Sequence, residues 1–201
     1  MKKINLTKGI LAITLVALTV TSCKEVKKEQ HIDNEHHSDG SHDDSTMDSS
    51  NDMMGNDQHA SKSTALVANY LELKNALVAD DKDAAAKAGG MMVSAFDDFE
   101  TSSFGSEEQQ ELKDIIEDAK EHAEHIEKSP IDHQREHFDV LSKDMIDLIA
   151  ITGTEEKLYQ DFCPMYNNNK GAQWLSATKE IKNPYYGAKM MSCGSVQKEI
   201  N

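Results

Sequence analysis

Hydrophobic side chains recur every three to four residues over four successive segments of the chain. These segments span about residues 65–78, 82–99, 106–128 and 131–153. The spacing places the apolar side chains of each segment on one face of an α-helix, and short connections between such helices are typical of an antiparallel bundle. The sequence therefore predicts a mainly all-α fold with a four-helix bundle over residues 64–153. The predicted core positions are Leu66, Tyr70, Leu73, Leu77, Ala85, Ala88, Met92, Ala95, Phe99, Leu112, Ile115, Ala119, His122, Ile126, Phe138, Leu141, Met145 and Leu148.

Residues that cap or stop helices mark the ends of these segments. Ser63 or Thr64 can cap the first helix, and the run Ser-Glu-Glu-Gln from Ser106 has the form of a capping box for the third. Ser129, followed by proline, is the predicted cap of the fourth helix, and Gly153 is predicted to end it.

The pattern changes after Gly153. Pro164, Gly171, Pro184 and Gly187 preclude a long helix in residues 154–201, so this segment is expected to form turns and short strands. Asn183, followed by Pro-Tyr, is predicted to form a turn that fixes the closing part of the segment. The aromatic residues expected to pack the segment against the bundle are Tyr159, Trp174, Tyr185 and Tyr186.

The first 22 residues have the pattern of an export signal. Three lysines precede an apolar run over residues 10–20, which is too short for a spanning helix, and Val-Thr-Ser-Cys ends at Cys23. This tetrapeptide resembles the lipobox of bacterial lipoproteins, in which the cysteine carries the lipid. The expected location is therefore the cell envelope, with a lipid anchor at Cys23. Lys24 is compatible with sorting to the outer membrane, facing the periplasm.

Residues 23–63 are predicted to form a disordered tether. They are rich in Asp, Ser, Asn and His and contain few large aliphatic side chains, so they cannot bury enough apolar surface to offset chain entropy. Two compatible interpretations remain open, a solvated tether and a weak metal-binding tract. The histidines of the tract are His31, His36, His37, His42 and His59.

The charge of the chain indicates which partners to expect. The net charge is −15 for 201 residues, and removal of residues 1–22 takes away three lysines and no acid, which leaves about −18. A charge of this sign disfavours nucleic acid and favours cations. The chain contains no phosphate loop, nucleophile elbow or dinucleotide fingerprint, so a binding function is expected rather than an enzyme.

Two cysteines, each with a methionine within three residues, bracket the C-terminal segment. Cys163 and Met165 open it, and Met190 and Cys193 close it. Thiolate and thioether sulfurs are soft ligands that select Cu(I) and similar heavy metals. The pattern therefore predicts a sulfur site for copper. A structural Cys163–Cys193 disulfide, inert thiols, and a redox-switched site that is a disulfide when oxidised remain as alternatives.

Histidines on the third and fourth helices are further metal candidates. His133 and His137 are four residues apart and share a helix face, while His122 and His125 lie before the same turn. Imidazole suits Cu and Zn, so His133 or His137 is expected to supplement the sulfur site, and zinc is an alternative metal. The run from His133 to His137 also has the H-x-x-E-H form of inverted zinc proteases, with Glu136 as base, which leaves a remote enzymatic alternative.

Several motifs together resemble a known family. They are Cys-Pro-Met-Tyr at 163–166, Asn-Pro-Tyr-Tyr-Gly at 183–187, Met-Met-Ser-Cys-Gly at 190–194 and Gln-Arg-Glu-His-Phe at 134–138. Over about residues 64–200, the chain resembles an uncharacterised domain that occurs in exported bacterial lipoproteins. The same domain is also found at the C-terminus of periplasmic adaptor subunits of heavy-metal efflux pumps. The resemblance implies a helical domain, a link to copper or other heavy metals, and efflux-pump components as partners. The competing hypothesis is a structural or interaction lipoprotein with a disulfide.

Overall fold

The computed structural model describes the backbone of residues 51–200 and the side chains of residues 60 and 62–200. Four long helices and a small C-terminal sheet make up this part, which confirms the prediction of a mainly α-helical fold. No helix among these residues is both long and apolar enough to cross a membrane. The helices are α1 (Asn51–Val78), α2 (Lys82–Asp97), α3 (Ser106–Lys128) and α4 (Ile131–Thr152).

The helices pack in sequence order and close into a bundle. Each helix packs on the next, and α4 returns to α1. Their apolar faces form one core that includes the stacked rings of Tyr70 and Phe138, whose centroids are 5.2 Å apart. Most of the predicted core positions are buried, but four are only partly buried: Ala95, Phe99, Ile115 and His122. The buried aromatic side chain of α2 is Phe96. Phe99, which was predicted to lie in the core, follows the end of this helix.

Helix α1 begins at Asn51, well before the start predicted near residue 65. Ser63, the predicted cap, is instead a buried residue within the helix. Its hydroxyl lies 2.9 Å from the carbonyl oxygens of both Ala60 and Gly153, so it satisfies its hydrogen bond inside the helix and against the end of α4. The predicted disordered tether is therefore wrong for residues 51–63, which are helical.

The other three helices begin where predicted, at Lys82, Ser106 and Ile131, but the capping residues of α3 and α4 differ from those predicted. Asp81 caps α2, since its Oδ1 accepts from the N–H groups of Asp83 and Ala84 at 3.1 and 2.9 Å. Gly105, rather than Ser106, is the N-cap of α3, and its N–H donates to the Glu108 carboxylate at 2.9 Å. The N-cap of α4 is Pro130 rather than Ser129, with no side-chain cap.

A three-stranded antiparallel sheet follows the bundle, in agreement with the short strands predicted after Gly153. Its strands are β1 (Leu158–Cys163), β2 (Ala172–Ser176) and β3 (Ser195–Ile200), with β1 in the centre. β2 packs against α4. Between β1 and β2 the chain turns through three consecutive asparagines at positive φ, which this residue type tolerates better than most.

The buried side chain of Arg135 joins three parts of the chain. Its Nε donates to the Pro184 carbonyl and its Nη2 to the Leu77 carbonyl, each at 2.9 Å. The same Nη2 pairs with the Asp80 carboxylate, whose other oxygen accepts from the Ala188 N–H at 3.0 Å. The guanidinium therefore fixes α4 to the α1–α2 turn and to the C-terminal segment.

Gly187 is required for this contact. Its φ is +54°, and an added Cβ would lie 2.3 Å from Asp80 Oδ1 and 2.7 Å from Arg135 Nη2. A larger residue would be strained and would also displace the ion pair.

We predict that Arg135→Ala lowers the free energy of unfolding by about 2–4 kcal/mol, because buried carbonyls and a carboxylate lose their donor. Arg135→Lys should also be destabilised, since an ammonium cannot reproduce the fork of the guanidinium. Urea unfolding checks both. The control is Lys128→Ala, an exposed ion-pair residue whose loss should change stability by less than about 0.5 kcal/mol. An Arg135→Ala protein as stable as this control would contradict the role given to Arg135.

Candidate metal-binding site

The sheet brings the two C-terminal cysteines together. Cys163 is the last residue of β1, and Phe162 pairs with Ser195 at the start of β3, so Cys193 lies beside Cys163. The two sulfur atoms are 2.9 Å apart, and both cysteines carry free thiols. The strand register thus places two soft donors at one point. This adjacency is compatible with one ion bound by both sulfurs and with a disulfide.

Asn183 holds the closing part of the segment in place. Its side-chain amide donates to the Cys193 carbonyl at 2.7 Å, and its N–H donates to the Met191 carbonyl at 2.8 Å. Its Oδ1 accepts from the N–H groups of Tyr185 and Tyr186. Asn183 is fully buried. The predicted turn is therefore confirmed, and it fixes the backbone of Cys193 directly.

The two thiols are electrostatically coupled. Cys163 is fully buried and Cys193 is partly buried. The hydrogen bond with Cys163, followed by burial and by the charge of Cys163, raises the pKa of Cys193 to about 11. Near neutral pH the Cys193 thiol thus keeps its proton beside Cys163. A cation that binds both sulfurs must displace this proton.

The predicted methionine ligands flank the thiols without forming a closed cage. The side chain of Met165 is exposed, and that of Met190 is partly buried. The Met165 carbonyl accepts a hydrogen bond from the Tyr186 hydroxyl at 3.0 Å, which fixes its backbone while the thioether remains accessible. Among the described side chains, those of residues 60 and 62–200, no three His, Cys, Asp or Glu are grouped to hold a metal ion. The cysteine pair therefore supplies two donors, and a third would come from a methionine.

Tyr186 is a site residue that the search for metal ligands missed. Burial, with smaller contributions from Cys163 and Cys193, raises the pKa of its hydroxyl. Its position in the Asn-Pro-Tyr-Tyr-Gly run was the sequence feature that could have indicated a site residue. From that run we predicted only that the ring packs against the bundle.

An acidic groove lies on the other side of Tyr186. It has a volume of about 490 Å³ and is lined by Tyr186 and Tyr166 together with Glu136 and Asp139 from α4. Burial, and then the charges of Asp139 and Glu136, raise the pKa of Tyr166 to about 12. The carboxylates make this approach to Tyr186 favourable for a cation.

Four histidines form a second cluster at the α3–α4 turn. His122 Nδ1 lies 2.8 Å from His137 Nδ1, and His137 Nε2 lies 3.1 Å from His133 Nε2. The ring of His125 stacks on that of His137 with centroids 4.4 Å apart. Burial, and then the neighbouring histidines, lower the pKa of His137. The helical spacing predicted this gathering of imidazoles at one end of the bundle.

The two clusters are separate. In the described part of the chain, no hydrogen bond or ring contact joins these histidines to Cys163 or Cys193. The Glu136 carboxylate, the base in the protease alternative, accepts from His133 Nδ1 at 2.8 Å. It therefore orients a histidine in this structure.

The structure thus defines a helical bundle with an appended sheet that carries a pair of thiols. Residues 66–157 match a family described as a protein of unknown function, DUF3347. The matched region covers most of the bundle and ends just before β1, so Cys163 and Cys193 follow it. No curated protein and no solved structure matches the chain.

Several predicted residues lie outside the described part. These are the export signal, Cys23 and the tether histidines His31, His36, His37 and His42. His59 lies in α1, but its side chain is not among those described. Their lipidation and metal-binding roles stay predictions.

We predict that Cys163→Ala speeds alkylation of Cys193 at pH 8 by about tenfold or more, because removal of Cys163 returns the pKa of Cys193 toward that of a free thiol. The measurement is the iodoacetamide rate on the reduced chain as a function of pH. Met191→Ala, which changes a nearby exposed side chain without altering the thiols, serves as control. A rate unchanged in Cys163→Ala would contradict the coupling between the two thiols.

Proposed function

We propose that this protein binds a soft metal ion, Cu(I), between Cys163 and Cys193 when both are reduced. The observation that carries the proposal is the 2.9 Å separation of the two sulfur atoms, one at the end of β1 and the other two residues before β3. Asn183 holds one of the two backbones from within the core. A pair of thiols fixed in this way needs little rearrangement to bind an ion.

Copper in its lower oxidation state suits the donors better than other metals do. Thiolate and thioether ligands select Cu(I), whereas carboxylate and carbonyl oxygens suit Mg and Ca. The exposed Met165 and the partly buried Met190 are available to complete the coordination. The acidic groove beside Tyr186 favours the approach of a cation.

A disulfide between the same residues is the second candidate. It is favoured by the same adjacency and by the oxidising conditions of an exported compartment. Oxidation would join the two sulfurs and release two protons, with two electrons passing to an external oxidant. In this form the bond would tie β1 to the start of β3 and would exclude the metal.

The setting of this activity is the cell envelope. The Val-Thr-Ser-Cys sequence ending at Cys23 supports a lipid-anchored, exported protein. The tether histidines would then collect metal near the membrane by weak, repeated binding. The motif resemblance supports components of heavy-metal efflux pumps as partners, and copper tolerance as the process served. The proposed role is binding and transfer rather than catalysis.

The test is a competition titration of the reduced full-length chain with Cu(I) and a chelator under anaerobic conditions. We expect one tightly held ion per chain, with both thiols protected from alkylation. Cys163→Ser with Cys193→Ser should weaken this binding by about a hundredfold or more, because the remaining hydroxyls are poor ligands for Cu(I). Met165→Leu and Met190→Leu should each have a smaller effect.

A matched control is His133→Gln with His137→Gln, which leaves both sulfurs unchanged. Unchanged Cu(I) affinity in this variant would show that the histidines do not supplement the sulfur site, and weaker binding would show that they do. Unchanged affinity in the double cysteine variant would contradict the proposal. The absence of titratable thiols in protein purified without reductant, together with no copper retained after reduction, would favour the structural disulfide.

A further inference from the structure

The histidine cluster contains a pair of ring nitrogens that face each other across two helices. His122 on α3 and His137 on α4 approach through their Nδ1 atoms at 2.8 Å. The side chain of His122 is largely buried, and His133 and His125 enclose His137 from two other sides. The pair is therefore held by the packing of the bundle rather than by mobile loops.

The hydrogen-bond partners of the outer nitrogens restrict where protons can lie. Glu136 accepts from His133 Nδ1, so the unprotonated His133 Nε2 faces His137 Nε2 at 3.1 Å. His137 must then donate through Nε2, which leaves its Nδ1 as an acceptor toward His122. At the other end, His122 Nε2 lies 3.6 Å from Asp118 Oδ1.

With neutral rings alone, this chain cannot satisfy both ends. If His122 donates its one proton to His137 through Nδ1, its unprotonated Nε2 faces the Asp118 carboxylate. If it keeps the proton on Nε2 toward Asp118, two lone pairs meet between the Nδ1 atoms of His122 and His137. Either a second proton on His122 or a cation between the two Nδ1 atoms removes this conflict, and the cation does so while both rings stay neutral.

We infer that Nδ1 of His122 and Nδ1 of His137 form a binding site for a borderline divalent cation such as Zn²⁺ or Cu²⁺. Imidazole nitrogen is a preferred ligand of such ions. The Nε2–H of His137 would donate to Nε2 of His133, which Glu136 contacts in turn, while Nε2 of His122 faces the Asp118 carboxylate at 3.6 Å. Carboxylate and histidine partners of this kind fix the tautomer of metal-binding histidines.

The geometry requires only a small opening of the pair. Two nitrogens bound to zinc at its usual distance in a tetrahedral site lie about 3.3 Å apart. The separation here is 2.8 Å, so the rings must move apart by about half an ångström. The remaining positions would be filled by water, which agrees with the finding that no three such side chains are grouped among the described ones. A site with two protein ligands exchanges its ion readily and differs in metal preference from the cysteine pair.

The experiment uses the full-length chain with Cys23→Ser, Cys163→Ser and Cys193→Ser, so that no thiol contributes and the result is independent of the proposed Cu(I) site. Zn²⁺ binding is measured by calorimetric titration in this parent and in His122→Gln and His137→Gln. Each histidine variant should weaken the tightest binding step at least tenfold. His125→Gln is the matched control, since this ring stacks on His137 without taking part in the chain of contacts, and it should stay within about twofold.

Nuclear magnetic resonance of the parent protein provides a readout that needs no histidine variant. On addition of Zn²⁺, the Nδ1 resonances of His122 and His137 should shift, while their Nε2 atoms remain protonated. His133→Gln should weaken Zn²⁺ binding less than His122→Gln or His137→Gln does, and it should change the tautomer of His137. Equal Zn²⁺ affinity in the parent and both ligand variants, or shifts confined to other histidines, would overturn the assignment.

Discussion

The C-terminal segment depends on one buried cation. Arg135 lies in α4, and its guanidinium reaches the Leu77 and Pro184 carbonyls and the Asp80 carboxylate. A buried charge is costly unless it is paired and fully hydrogen-bonded, and here the partners come from the α1–α2 turn and from the C-terminal segment. The motifs around residues 134–138 and 183–187 therefore belong to one structural contact. They suggested a functional signature in the sequence, but they act by fixing the sheet to the bundle.

The positions of the two thiols follow from this contact. Pro184 is held by Arg135, and the adjacent Asn183 holds the carbonyl of Cys193. The register of β1 and β3 then sets Cys163 beside Cys193. The histidines belong to a different contact, between α3 and α4. No hydrogen bond or ring contact joins the two groups among the described residues, and a role for His133 or His137 at the sulfur site stays a prediction.

The sequence predicted the helices well because their apolar faces repeat at helical spacing over many residues. It failed at the start of α1, where the polar composition before Ser63 indicated disorder although that hydroxyl is satisfied within the bundle. The convergence of four histidines followed from helical spacing and one tight turn. The approach of Cys163 to Cys193 could only be suggested, since it depends on strand register over a separation of 30 residues. The sequence around Tyr186 indicated only packing, because its hydrogen bond to the Met165 carbonyl depends on the tertiary structure.

The central claim is that sulfur from Cys163 and Cys193 holds the metal. The most direct test is X-ray absorption at the copper edge, on the reduced full-length chain loaded with half an equivalent of Cu(I). At this loading the tightest site is occupied first, so weaker sites in the tether contribute little. We expect a first coordination shell of sulfur alone. A first shell dominated by nitrogen or oxygen, with the outer scattering of imidazole, would contradict it.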